Sequence, residues 1–107
     1  MSDAVQELHH SIEIYADNLS YLNAETESSE IVHMLVVRDH IEEFLQAVPV
    51  SVAVNANVLL LDLDRELVEK KLHVIDVTRD MGKDMGKPVN HWWWYLSLTI
   101  EEQKVAS

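Results

Sequence analysis

The chain of 107 residues contains no cysteine, and that absence excludes several kinds of site. Disulfide bridges, zinc–thiolate centres, iron–sulfur clusters and cysteine nucleophiles all need a thiol. A protein without disulfides suits a reducing compartment, and the first ten residues, MSDAVQELHH, lack the basic and apolar regions of a secretory signal. We therefore expect a cytoplasmic protein.

Glycine and proline are also scarce, with two residues of each. A protein made of many short strands needs turn residues at about every 8–12 positions, which this chain does not supply. Phosphate-binding loops and serine nucleophile elbows need glycines at fixed spacings, and the segment MGKDMGKP does not provide them. The composition therefore favours long helices and gives no support to these enzyme classes.

Basic residues are few, because eight Lys and Arg stand against nineteen Asp and Glu, for a net charge of -11. Residues 1–48 carry ten of the acids and a single base, Arg38. Such a surface repels phosphate backbones and attracts basic proteins, so we expect no nucleic-acid partner. Residues 44–61 lack charge but contain Pro49, Asn55 and Asn57, so we expect no membrane span.

Two segments have the hydrophobic spacing of amphipathic helices. In residues 3–22 the apolar positions recur at intervals of three and four: Val5, Leu8, Ile12, Tyr15, Leu19 and Leu22. Residues 30–48 repeat the pattern with Met34, Val37, Ile41, Phe44 and Val48, and Pro49 ends it. The short polar connection between the two segments predicts an antiparallel helical hairpin.

The second half of the chain fits two patterns. Ala53, Ala56, Leu60, Leu63 and Leu67 have helical spacing, which predicts a long third helix over residues 51–79. Valines also alternate over residues 50–58, which leaves an α+β fold with a strand there as the alternative. We expect a loop over residues 80–90 and an aromatic C-terminal segment, residues 91–107, with a short helix. The predicted fold is all-α, with residues 1–107 forming one helical domain.

Histidine and glutamate pairs are the candidate metal ligands. Glu7 with His10, and Glu30 with His33, have the Glu-x-x-His spacing of bundle metal sites, and His40 lies one heptad beyond His33. Glu7 and His10 fall on the outward side of their helix, whereas a bundle site needs inward ligands. We therefore expect solvated side chains, with no metal site and no cofactor.

The most unusual feature is the run Trp92, Trp93, Trp94 and Tyr95, which contains every tryptophan of the chain. Three consecutive side chains cannot all face one core, so at least one is expected to be exposed or to contact a partner. Tryptophan is enriched in binding hot spots. The run is therefore the predicted partner-binding site, and the alternative is that two tryptophans pack in the core while the third lies on the surface.

These observations favour a non-catalytic protein-interaction or regulatory module. The wide apolar stripes of the second and third helices predict self-association as a homodimer or a higher oligomer, and a second partner would have a basic surface. Two other functions are kept as alternatives: a metal-binding bundle or metal-dependent enzyme using the Glu and His pairs, and a peripheral protein that meets membranes through the tryptophans.

Overall fold

The computed structural model describes residues 3–78, 81–88 and 90–96, and the described residues form helices with no β-strand. Helix α1 spans Asp3–Tyr21, α2 spans Ser28–Ala47 and α3 spans Val50–Glu69. A 3-10 turn, Lys71–His73, follows, and then the short helices α4, Ile75–Thr78, and α5, Met81–Asp84. Trp92–Trp94 form a second 3-10 turn. The predicted all-α fold is confirmed, and the alternative of a strand at residues 50–58 is wrong.

The helical hairpin forms where the apolar spacing placed it. α1 and α2 pack along their length, and the positions that recur every three or four residues form the core. Buried hydrophobic residues from these two helices are Leu8, Ile12, Tyr15, Leu19, Ile31, Met34, Leu35, Val37 and Ile41. These seams are therefore used within the chain and are not free to hold an oligomer together.

Pro49 sets the geometry between α2 and α3. Val48, which precedes it, is extended with φ -103° and ψ 161°, because a residue before proline is disfavoured in the helical region. Pro49 then occupies the N-cap of α3, where its missing N–H costs no helical hydrogen bond. The chain thus reverses within two residues.

α3 runs in the same direction as α1 and lies beside the hairpin. Two contacts fix that alignment: the Tyr15 hydroxyl donates to Asp64 at 2.8 Å, and the Lys70 ammonium donates to the backbone carbonyl of Leu19 at 2.7 Å. The second contact places Lys70 against the last turn of α1, where a cation is favoured by the helix dipole.

The third helix is shorter than predicted. It ends at Glu69, whereas the sequence predicted a helix to residue 79, and Arg79 lies outside the described residues. After the break, Val74 and Thr78 turn into the core, and the Thr78 hydroxyl donates to the Val74 carbonyl at 3.2 Å. Burial of these two residues, with α4 packed against α2, replaces the continuation of a straight helix.

The predicted C-terminal segments are described only in part. Within the predicted loop, residues 81–84 form α5, and residues 80 and 89 lie outside the described part. Of the aromatic segment, residues 91–96 are described and residues 97–107 are not. Nowhere in the described ranges is there a helix with the length and hydropathy needed to cross a bilayer.

Adjacent leucines of α3 test this packing. Leu60 is 2% exposed and Leu59 is 54% exposed. We expect Leu60→Ala to lower the free energy of unfolding by about 2–5 kcal/mol, because it leaves a cavity in the core. Leu59→Ala, the control, should change it by less than about 1 kcal/mol. Urea unfolding measures both, and equal losses would contradict the described orientation of α3.

Candidate functional site

α3 carries a continuous apolar face on the side turned away from the core. Its five apolar members keep between 38% and 79% of their surface exposed: Val50, Val54, Val58, Leu61 and Val68. Arg65 lies between Leu61 and Val68, and with it the positions recur every three or four residues. We call these six residues the α3 face. Single exposed apolar residues are ordinary, whereas a contiguous row of them indicates a contact surface.

The α3 face exists because the hairpin covers only one side of this helix. Ala56, Leu60 and Leu67 are the buried residues of α3, and they share the opposite side. Leu59 is exposed as well, but it lies two residues from Leu61, which is roughly 160° around a helix of 3.6 residues per turn. Leu59 is therefore outside the face.

Trp92 lies at the edge of this surface. Its side chain is half-buried and meets the ring of Trp93 edge-on, with 5.6 Å between ring centroids. Trp92 shares an open cavity of about 210 Å³ with four residues of α3: Leu61, Asp64, Arg65 and Val68. The α3 face and the first residue of the tryptophan run thus form one continuous surface.

The other two tryptophans are held inside by a buried carboxylate. Asp39 Oδ1 accepts hydrogen bonds from the indole Nε1 of Trp93 and of Trp94, both at 2.8 Å. His91 Nδ1 lies 2.9 Å from the same oxygen, and Lys87 Nζ donates to Oδ2 at 2.8 Å. An ionised carboxylate only accepts, so this geometry puts the imidazole hydrogen on Nδ1. One side chain of α2 therefore holds Lys87 of the preceding loop and three residues of the C-terminal segment.

The ionised form of Asp39 is favoured by these partners. Burial by itself raises the pKa of the carboxyl, but the hydrogen bonds from Lys87, Trp94, Trp93 and His91 outweigh it and hold the pKa below its ordinary value of 3.8. The Asp39 carboxylate is therefore negatively charged at neutral pH, and its charge is compensated by these donors.

Arg38 forms a second buried network next to the first. Its guanidinium donates to both carboxylate oxygens of Asp64, at 3.0 and 2.9 Å, and to Glu42 at 3.1 Å. It also lies 4.3 Å from the centre of the Trp93 ring, a cation–π distance. Burial and the Asp64 charge both raise the pKa of Tyr15, whose hydroxyl donates to Asp64. These groups are mutually satisfied, so they lock α1, α2 and α3 together.

The structure separates the predicted partner-binding residues into two pairs. Trp93 and Trp94 are each 1% exposed, while Trp92 and Tyr95 are half-buried. The Tyr95 hydroxyl donates to the backbone carbonyl of Lys87, so this side chain also links residue 95 to the loop before the tryptophan run. Within this run, Trp92 is the residue that extends the exposed α3 face. Its contact with a partner stays a prediction.

The metal-ligand candidates are not brought together. Glu7, His10, Glu30, His33 and His40 are all exposed. Glu30 and His33 line a cavity of about 320 Å³ between the end of α1 and the start of α2, with no third candidate beside them. Within the part of the chain that the structure describes, no three His, Asp or Glu residues are grouped so as to hold a metal ion.

The buried charges were missed by the sequence analysis, although a signal for them existed. Arg38 follows Met34 by four residues and Asp39 follows Leu35 by four, so each continues a row of α2 that is apolar in the preceding turn. A charged residue at such a position needs a partner, and a buried indole N–H needs an acceptor. Pairing those requirements would have predicted the contact between Asp39 and the tryptophans.

Asp39→Asn tests the network. The amide keeps the shape but loses the charge, so we expect the free energy of unfolding to fall by about 2–4 kcal/mol at neutral pH. Because folding lowers the pKa of Asp39, its contribution is complete above the unfolded value of 3.8 and is lost as pH falls through the folded pKa. The gap between variant and wild type should therefore shrink in acid. Denaturant unfolding against pH measures it, with the exposed Asp62→Asn as the neutral control.

Comparison with protein-family models, with curated proteins and with solved structures finds no match for this chain.

Proposed function

We propose that this chain is a non-catalytic interaction module that associates with a second copy of itself through the α3 face. The observation that supports it is the row of five exposed aliphatic side chains along one helix. The described residues leave that row open on a chain whose other amphipathic helices are paired. Burial of such a row against another protein removes apolar surface from water, which is the dominant favourable contribution to association.

The size of the α3 face sets the expected free energy of self-association. Complete burial of a Val or Leu side chain contributes roughly 1.5–3 kcal/mol, and these side chains are on average about half exposed. Ten of them from two copies contribute on the order of 10 kcal/mol. Association itself costs about 4–15 kcal/mol in lost freedom. At the low end of that range about 6 kcal/mol remains, which corresponds to a weak dimer that forms at tens of micromolar or higher concentration.

Trp92 gives the surface its aromatic anchor. It shares a cavity with Leu61, Arg65 and Val68, so a partner that covers the α3 face also covers one side of this ring. Tryptophan is among the residue types most enriched at binding hot spots. The predicted role of the tryptophan run in binding is thus proposed for Trp92, while Trp93 and Trp94 support it from the core.

A pair of leucine variants tests the role of the α3 face. Leu61→Glu places a charge within the face, and Leu59→Glu places the same charge on the same helix outside it. We expect the wild type and Leu59→Glu to be dimeric at about 100 µM, where such a weak dimer is populated, and Leu61→Glu to be monomeric. Light scattering coupled to size exclusion measures the mass. A monomeric wild type, or equal masses for the two variants, would overturn the proposal.

Tryptophan variants separate binding from folding. We expect Trp92→Ala to stay folded and to weaken self-association by at least about tenfold, since hot-spot residues contribute about 2 kcal/mol or more and about 1.4 kcal/mol is a factor of ten. Trp93→Ala should instead lower the free energy of unfolding by about 3–5 kcal/mol, because it empties the core beside Asp39. Circular dichroism with urea follows folding and sedimentation equilibrium follows association. If Trp92→Ala unfolds, or if its self-association is unchanged, Trp92 is not a contact residue of the interface.

A further inference from the structure

The positions of the α3 face are nearly symmetric about the middle of the helix. Around a midpoint near Leu59, Val50 corresponds to Val68, Val58 corresponds to Leu61, and Val54 corresponds to Arg65. In an antiparallel pair of identical helices, residues equally far from the midpoint in opposite directions face each other. A second copy of α3 therefore matches this face in length and in the position of its aliphatic side chains.

The charges of α3 favour the antiparallel arrangement over the parallel one. Residues 50–61 carry no charge, and residues 62–70 carry six charged side chains. A parallel pair would place Asp62, Arg65 and Glu69 each near its own copy, and like charges in contact are unfavourable. An antiparallel pair places the charged half of each helix along the neutral half of the other.

Building on the proposed self-association, we propose that two copies pack their α3 helices antiparallel across a two-fold axis. Val58 lies against Leu61 of the second copy, and Val50 lies against Val68. The aliphatic part of Arg65 covers Val54 of the second copy, with its guanidinium free to remain hydrated.

Trp92 extends the same interface. It borders Leu61 and Val68 of its own chain, and those two residues face Val58 and Val50 of the second copy. Each Trp92 ring therefore reaches the neutral half of the opposite α3. The two-fold axis repeats this contact, so the interface contains two aromatic anchors rather than one.

Single cysteines test the arrangement, since the natural chain has none and every cross-link must come from the introduced thiols. In the antiparallel pair the two copies of residue 50 are roughly 27 Å apart, at 1.5 Å per residue over eighteen residues. A disulfide needs Cα atoms within about 7 Å. We therefore expect Val50→Cys alone and Val68→Cys alone to give no covalent dimer on mild oxidation, and an equal mixture of the two to give one that a reductant reverses.

Leu59→Cys is the control, because it lies outside the face and should not cross-link with either variant. Light scattering on each variant before oxidation separates the two proposals. Monomers throughout would overturn self-association and this arrangement together. Dimers in which Val50→Cys cross-links to itself would leave self-association standing and establish a parallel pair instead. Dimers with no cross-link in any mixture would place the interface elsewhere and overturn the arrangement.

Discussion

The hairpin of α1 and α2 offers α3 a single groove, so α3 can bury side chains on only one of its sides. Ala56, Leu60 and Leu67 fill that groove. The aliphatic residues on the other side stay 38–79% exposed in the described part of the chain, although they are as apolar as those inside. This geometry makes α3 both a member of the core and the source of the contact surface, and the proposed self-association follows from it.

α2 differs from α3 because it is covered on more than one side. It packs against α1 and α3, and Arg38 contacts both Asp64 of α3 and the Trp93 ring. Asp39 meets the C-terminal segment. Bringing a carboxylate into the interior is costly unless donors surround it, and here an ammonium, an imidazole and two indoles do so. The cluster fixes Trp93 and Trp94, and these in turn support Trp92 beside the α3 face.

Sequence periodicity predicted the parts of the fold that depend on local pattern. The spacing of Leu8, Tyr15 and Leu19 predicted α1, and Pro49 predicted the end of α2. What it missed depends on contacts between distant segments. Helix propensity through the run DRELVEKKL gave no indication that Val74 would leave the helix for the core. The same holds for the tryptophans, whose burial is decided by a carboxylate more than fifty residues earlier.

The salt dependence of self-association tests the proposed dimer most directly. Two copies of a chain with net charge -11 repel each other, while their apolar faces attract. Salt screens the repulsion and leaves apolar burial intact, whereas it weakens contacts between an acidic protein and a basic partner. Sedimentation equilibrium of the wild type at low and high ionic strength measures this balance. We expect a dimer whose dissociation constant falls as salt is raised. A monomer of 12.3 kDa under both conditions, or a dimer that salt dissociates, would contradict this expectation.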